Sequence, residues 1–264
     1  MDDSLSEKRN ILLTISYDGT DFCGWQRQDS SDKGKAVRTV QQTVEDALEK
    51  LHKQKINLIG SGRTDSGVHA FAQAANFFSP ISSIPVQKYP EALNCFLPND
   101  VRIMEAKLVP SDFSARFSAT SRVYRYFIHT GMPEASSMRY VWPIHHKPDI
   151  NLLNDMACVL KGEMDCATFA ASGDKSLSTF RYIDNAYFFY EGEKLVFEIE
   201  ANAFLWKMVR SITGTLIHFE KTGKSVEYFR SVVDSCDRKK AGPTAPSTGL
   251  FLYKIKFDGI RHHV

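Results

Sequence analysis

GSGRTDSGVHA, Gly60–Ala70, lies between two short apolar runs, Ile56–Ile59 and Gln73–Phe78. Gly62 and Gly67 have four residues between them, as in a P-loop, but Val68-His69 stands where Lys-Ser/Thr is needed. The dinucleotide-binding spacing also fails, because Asp65 occupies the place of the third glycine. An aspartate inside a phosphate cradle would repel its ligand. The glycines are therefore expected to serve a tight turn and a close approach of backbone. Such a turn presents Arg63, Thr64 and Asp65 at the end of a strand. A carboxylate placed there can act as nucleophile or base, or it can cap the next element beside a solvated arginine. Residue types alone favour the cap, because aspartate is common in turns.

Outward from this loop the periodicities are regular. In Ile11–Tyr17 the residues Ile11, Leu13, Ile15 and Tyr17 share one face, as in a half-buried strand. A polar surface loop is expected over Gln26–Arg38. Thr39 with Gln42 three residues on has the pattern of a capping box, and Val40, Val44, Ala47, Leu48 and Leu51 form one helical stripe. Strands are expected at Ile56–Ile59, Gln73–Phe78 and Val101–Val109, with a short helix near Val86–Leu97. Beyond that, Arg122–His129 reads as a strand with Arg122, Tyr124, Tyr126 and Ile128 on one face. Asp149 should cap a helix ending near Gly162. Strands Arg181–Tyr190 and Lys194–Ala201 flank Glu191-Gly192. A helix over Phe204–Glu220, a shorter one near Ser225–Ser235 and a strand at Leu250–Phe257 complete the chain. The order strand–helix–strand–strand occurs roughly twice. It suggests an α+β fold of two similar halves, 1–110 and 111–264.

The chain has 264 residues, 43% apolar, which is enough for a real core. Its net charge of +2 names no partner, because a basic face can hide in an average. The start, MDDSLSEKRN, lacks the apolar stretch of a signal peptide, and no run of ~18 apolar residues suggests a membrane span. Five scattered cysteines without a CxxC pair argue against a zinc site or a disulfide framework. They fit reduced, mostly buried thiols in a cytosolic protein.

GRTDSGVHA closely resembles the active-site motif of the tRNA pseudouridine synthase A family. The resemblance extends in order through SYDGTDFCGWQRQ (16–28), TVQQTVEDAL (39–48), ALNCFLPNDV (92–101) and FSARFSATSRVYRYFI (113–128). It continues through ANAFLWKMVRSITGTL (201–216) and APSTGLFL (245–252). Departures are small: Ser61 and Ser66 replace the usual alanines, Ala74 a common valine, and the polar stretch after Gln26 is long. The resemblance implies a duplicated α+β fold sharing one extended, mostly antiparallel sheet with helices on one face, assembled as a homodimer. It implies isomerisation of uridine to pseudouridine at positions 38, 39 and 40 of the tRNA anticodon stem-loop, without cofactor or metal. Asp65 is the implied catalytic aspartate. Arg210 is implied to lie beside it and keep it ionised. Tyr124, the first tyrosine of YRY, is implied to contact the uracil, and Arg63 to support the flipped nucleotide.

The reaction breaks C1′–N1 and joins C1′ to C5, so it imports no group and needs no electron carrier. Three openings are available to the carboxylate: addition to C6, attack on C1′, or removal of the 2′ proton. His69 and Tyr126 are expected to be structural. Arg116, Arg122, Arg125, Arg238, Lys239 and Lys240 are candidate phosphate contacts. Two rival functions remain open to the residues themselves, a silent RNA-binding protein on the same scaffold and a hydrolase. The hydrolase would need a second carboxylate, and none other than Asp65 occurs between Gly60 and Gln73.

Overall fold

A computed structural model describes residues 9–28 and 37–262, and the chain forms two compact units, 1–119 and 120–264. The N-terminal eight residues and most of the polar stretch after Gln26 thus lie outside the described residues.

In the first unit, strands β1 (Arg9–Tyr17), β2 (Ile59–Gly60), β3 (His69–Ser79) and β4 (Val101–Leu108) are antiparallel, with β1 between β3 and β4 and β2 paired to β3. The alternation expected in β1 is realised: Ile11, Leu13, Ile15 and Tyr17 are all buried. Burying each such side chain contributes about 1.5–3 kcal/mol. Helices α1 (Val40–His52) and α2 (Tyr89–Asn94) cover this sheet. His52 of α1 sets their placement, 5.7 Å from Phe77 of β3 and 5.9 Å from Tyr89 of α2, ring to ring.

Two expectations fail here. Thr39 precedes α1 as its cap residue, yet its hydroxyl makes no capping bond and lies buried. The strand expected over Ile56–Ile59 shrinks to two residues. Ile56 and Leu58 are buried, but the Leu58 N–H donates to Glu45 Oε1 (3.1 Å) and its carbonyl accepts from Gln41 Nε2 (3.2 Å). Helix side chains satisfy these backbone groups in place of a strand ladder.

The second unit contains β5 (Ser121–Thr130), β6 (Trp142–Ile144), α3 (Ile150–Cys158), β7 (Gly162–Asp165), β8 (Phe180–Glu191), β9 (Lys194–Ala201), α4 (Met208–Lys221), α5 (Val226–Asp234) and β10 (Leu250–Lys256). Its sheet runs β10-β5-β9-β8-β7, antiparallel throughout, with β6 parallel to the end of β5. The α+β class is thus realised. Asp149 caps α3 as expected, its Oδ1 accepting from the N–H groups of Asn151 (2.9 Å) and Leu152 (3.3 Å). Ser225 does the same for α5.

The helix expected from Phe204 begins four residues later. Lys207 is left-handed (φ 58°), and the Trp206 carbonyl accepts from Ala171 N–H at 3.1 Å, which holds the segment out of the helix. Strands β6 and β7 were not anticipated, being too short to show alternation. The thiols also differ from expectation: Cys166 alone is buried, and burial pushes its pKa up to about 12, while Cys23, Cys95, Cys158 and Cys236 are exposed.

Candidate active site

The loop joining β2 to β3 carries Arg63 and Asp65, and the 16–28 segment grips it from below. The Trp25 N–H donates to the Thr64 carbonyl (3.1 Å), and the Gly67 N–H donates to the Phe22 carbonyl (3.3 Å). Ser66 Oγ donates to that same Phe22 oxygen at 3.2 Å. Inside the grip, the buried Tyr17 hydroxyl lies 2.8 Å from Thr64 Oγ1. Burial raises the Tyr17 pKa well above the ordinary phenol value, so this partner of Thr64 stays neutral. From β3, Gln73 accepts from Ser61 Oγ (2.7 Å) and donates to the Gly62 carbonyl (3.1 Å), tying down the loop's first turn. Asp65 sits half-buried at the crest, its carbonyl accepting from Val68 N–H at 3.2 Å.

The glycines divide by role. A Cβ on Gly60 would lie 2.6 Å from Nε1 of the buried Trp25, so glycine there is a packing requirement. Gly24 has φ +91°, and its Cβ would stand 2.7 Å from the Thr64 carbonyl oxygen. Gly62 faces open space among the described residues, so the close approach expected of the loop glycines is not found there. His69 is fully buried; its Nδ1 accepts from Gly19 N–H at 3.1 Å, a structural task.

Arg63 is exposed. Its Nε donates to Gln26 Oε1 at 3.0 Å.

In the second unit, Tyr124 lies partly buried on β5 with its ring edge-to-face against Phe204, 5.1 Å between centroids. Arg210, on the first turn of α4, clasps the tail segment: its Nε donates to the Ala245 carbonyl (2.8 Å), and Ala245 N–H donates back to the Arg210 carbonyl (3.0 Å). Tyr126 is fully buried, and its hydroxyl donates to the Pro246 carbonyl at 2.6 Å. Burial raises its pKa, partly offset by the nearby Arg210 charge.

The basic candidates separate in the same way. Arg125 is engaged by Glu198 (2.6 Å) and stacks 3.7 Å over Tyr253, which makes it structural. Arg122 donates to the Asn202 carbonyl (2.6 Å), and Arg238 to Gly242 and Thr244. Arg116, Lys239 and Lys240 are exposed. His146 pairs with Glu220 at 2.8 Å. Among the described residues, no cluster of three or more His, Cys, Asp or Glu could hold a metal ion, and no helix is long and apolar enough to cross a membrane.

Residues 13–118 and 156–258 match the family model described as tRNA pseudouridine synthase, and the chain belongs to that family. It is an isomerase of tRNA uridine. Arg63, Asp65 and Arg210 fall within the matched segments, whereas Tyr124 lies between them. A tRNA pseudouridine synthase A of Treponema denticola is 53% identical over 251 residues, covering 95% of this chain and 93% of the relative. Its counterpart in Treponema pallidum is 50% identical over 90% of this chain and 85% of its own length. One from Caldicellulosiruptor bescii is 39% identical over 94% of this chain and its whole length.

Proposed function

We propose that this enzyme converts the uridines at positions 38, 39 and 40 of the tRNA anticodon stem-loop to pseudouridine, with Asp65 as the catalytic carboxylate. The observation that carries the assignment is the gripped loop. Two backbone hydrogen bonds and a buried Tyr17–Thr64 contact hold the peptides on either side of a half-buried aspartate. A capping aspartate would not need that support, whereas a reacting carboxylate must be held within a fraction of an ångström.

Asp65 opens the reaction at C6, C1′ or the 2′ proton. The freed uracil turns so that C5 meets C1′, the new bond forms, and C5 gives up its proton as N1 gains one. Tyr124 offers a ring face or edge to the uracil. Arg210 supports Asp65 in the opening step. Arg63 braces the nucleotide once it has left its stack, where a planar guanidinium can fill the gap. The enzyme works as a homodimer embracing one anticodon arm, in the cytoplasm. The two rival functions give way to the family membership.

Purified protein with unmodified tRNA and no added cofactor should yield pseudouridine at the three positions, mapped chemically. Asp65→Asn keeps the size and loses the charge; it should bind tRNA, stay folded and make no product. Appreciable pseudouridine from that variant would falsify the assignment. Sedimentation should show a particle of twice the chain mass, and an active species that is purely monomeric would refute the dimer.

A further inference from the structure

A chain of hydrogen bonds runs from the interior of the first unit to Arg63. Glu45, on α1 and 8% exposed, is its inner end. Glu45 Oε1 accepts from the Leu58 N–H and from Gln41 Nε2, both at 3.1 Å, and Oε2 accepts from Arg27 at 3.2 Å. Gln41 Oε1 in turn accepts from Gln26 Nε2 (3.0 Å) and from the Arg27 N–H (3.1 Å). Gln26 Oε1 accepts from Arg63 Nε at 3.0 Å.

The direction of this chain is not arbitrary. An amide can present either its oxygen or its nitrogen to a neighbour, but an ionised carboxylate only accepts. Glu45 therefore forces Gln41 to turn its nitrogen inward and its oxygen toward Gln26. Gln26 must then turn its nitrogen to Gln41 and its oxygen to Arg63. A buried charge on α1 decides which atom of an exposed glutamine faces the guanidinium.

The consequence for Arg63 is specific. It is held at Nε alone, by a neutral acceptor, and its two terminal nitrogens make no hydrogen bond among the described residues. Glu45, at the inner end, is itself paired to Arg27 at 3.2 Å. The guanidinium is thus oriented through Nε.

We infer that Gln26 is a positioning residue for Arg63, polarised through Gln41 by Glu45, and that it presets the guanidinium for the displaced nucleotide. The inference rests on the assignment of Arg63 to base flipping. Preorientation removes an ordering cost that would otherwise fall on the flipped state.

The test uses the full enzyme and single-turnover rates at saturating enzyme, on an anticodon arm with the target uridine paired and on one with it opposite a mismatch. Gln26→Leu removes the acceptor from an exposed site and should slow the paired target about three- to tenfold while the mismatched target changes little. Gln26→Glu keeps an acceptor for Nε but sets a carboxylate against the Gln41 oxygen and a charge against Arg63, so it should recover only part of the rate. In the Arg63→Ala background Gln26→Leu should add nothing. The inference is overturned if Gln26→Leu is silent, if it slows both targets equally, or if its effect multiplies that of Arg63→Ala. The flipping assignment fails separately, if Arg63→Ala itself slows both targets alike. Non-multiplying effects would then still place Gln26 upstream of Arg63.

Discussion

Gly24→Ala should damage the enzyme far more than Gly62→Ala, although the two glycines serve the same loop. At Gly24 the backbone has φ +91°, where a residue with a Cβ loses roughly 1–2 kcal/mol. The new methyl would stand 2.7 Å from the Thr64 carbonyl oxygen and 3.2 Å from the Asp65 carbonyl carbon. Ordinary contact requires a retreat of about 0.7 Å. The atom that must retreat is the acceptor of the 3.1 Å hydrogen bond from Trp25 N–H, so about 1–3 kcal/mol more is at risk. A total of about 2–5 kcal/mol is expected from these two contributions. The displaced peptide leads directly into Asp65, and a shift approaching 1 Å there costs up to about 100-fold in rate. At Gly62 the methyl meets nothing within 4 Å, so stability should stay level or rise by up to about 1 kcal/mol. Urea unfolding gives the stability of both variants. Single turnover at a temperature where each is folded gives the chemistry. Equal stabilities for the two variants would refute the steric reasoning. A destabilised Gly24→Ala with an unchanged rate would refute the link from this grip to catalysis.

Arg210→Ala should slow paired and mismatched targets by the same factor, because Asp65 serves both; selective rescue by the mismatch would contradict its assignment. The same variant should lose about 1–2 kcal/mol of stability, read by urea unfolding, since the buried Ala245 carbonyl loses its 2.8 Å donor. Activity should survive exhaustive EDTA in monovalent salt while the tRNA stays folded; a loss restored only by stoichiometric protein-bound metal would count against a cofactor-free mechanism.

Much of the fold is written locally. The alternation Ile11, Leu13, Ile15, Tyr17 announces β1, and Asp149 announces α3, because a period-2 pattern and a cap each involve residues within a few positions of one another. GRTDSGVHA likewise stands out as a glycine loop that fits neither nucleotide-binding pattern, and the ordered motifs around it carry the family. Other features depended on partners distant in sequence. Leu58 looks like a strand residue until Gln41 and Glu45 take its backbone groups. The helix expected from Phe204 loses its first turn because Ala171 claims the Trp206 carbonyl. Gly24, Gly60 and Gly62 are the same letter, and only the packing of Thr64, Trp25 or open space against each tells them apart. The chain from Glu45 to Arg63 joins residues of α1, the 16–28 segment and the loop after β2, and no periodicity announces it. Burial patterns are local in sequence because side chains alternate along a regular backbone; hydrogen bonds between remote groups exist only once the chain has closed on itself.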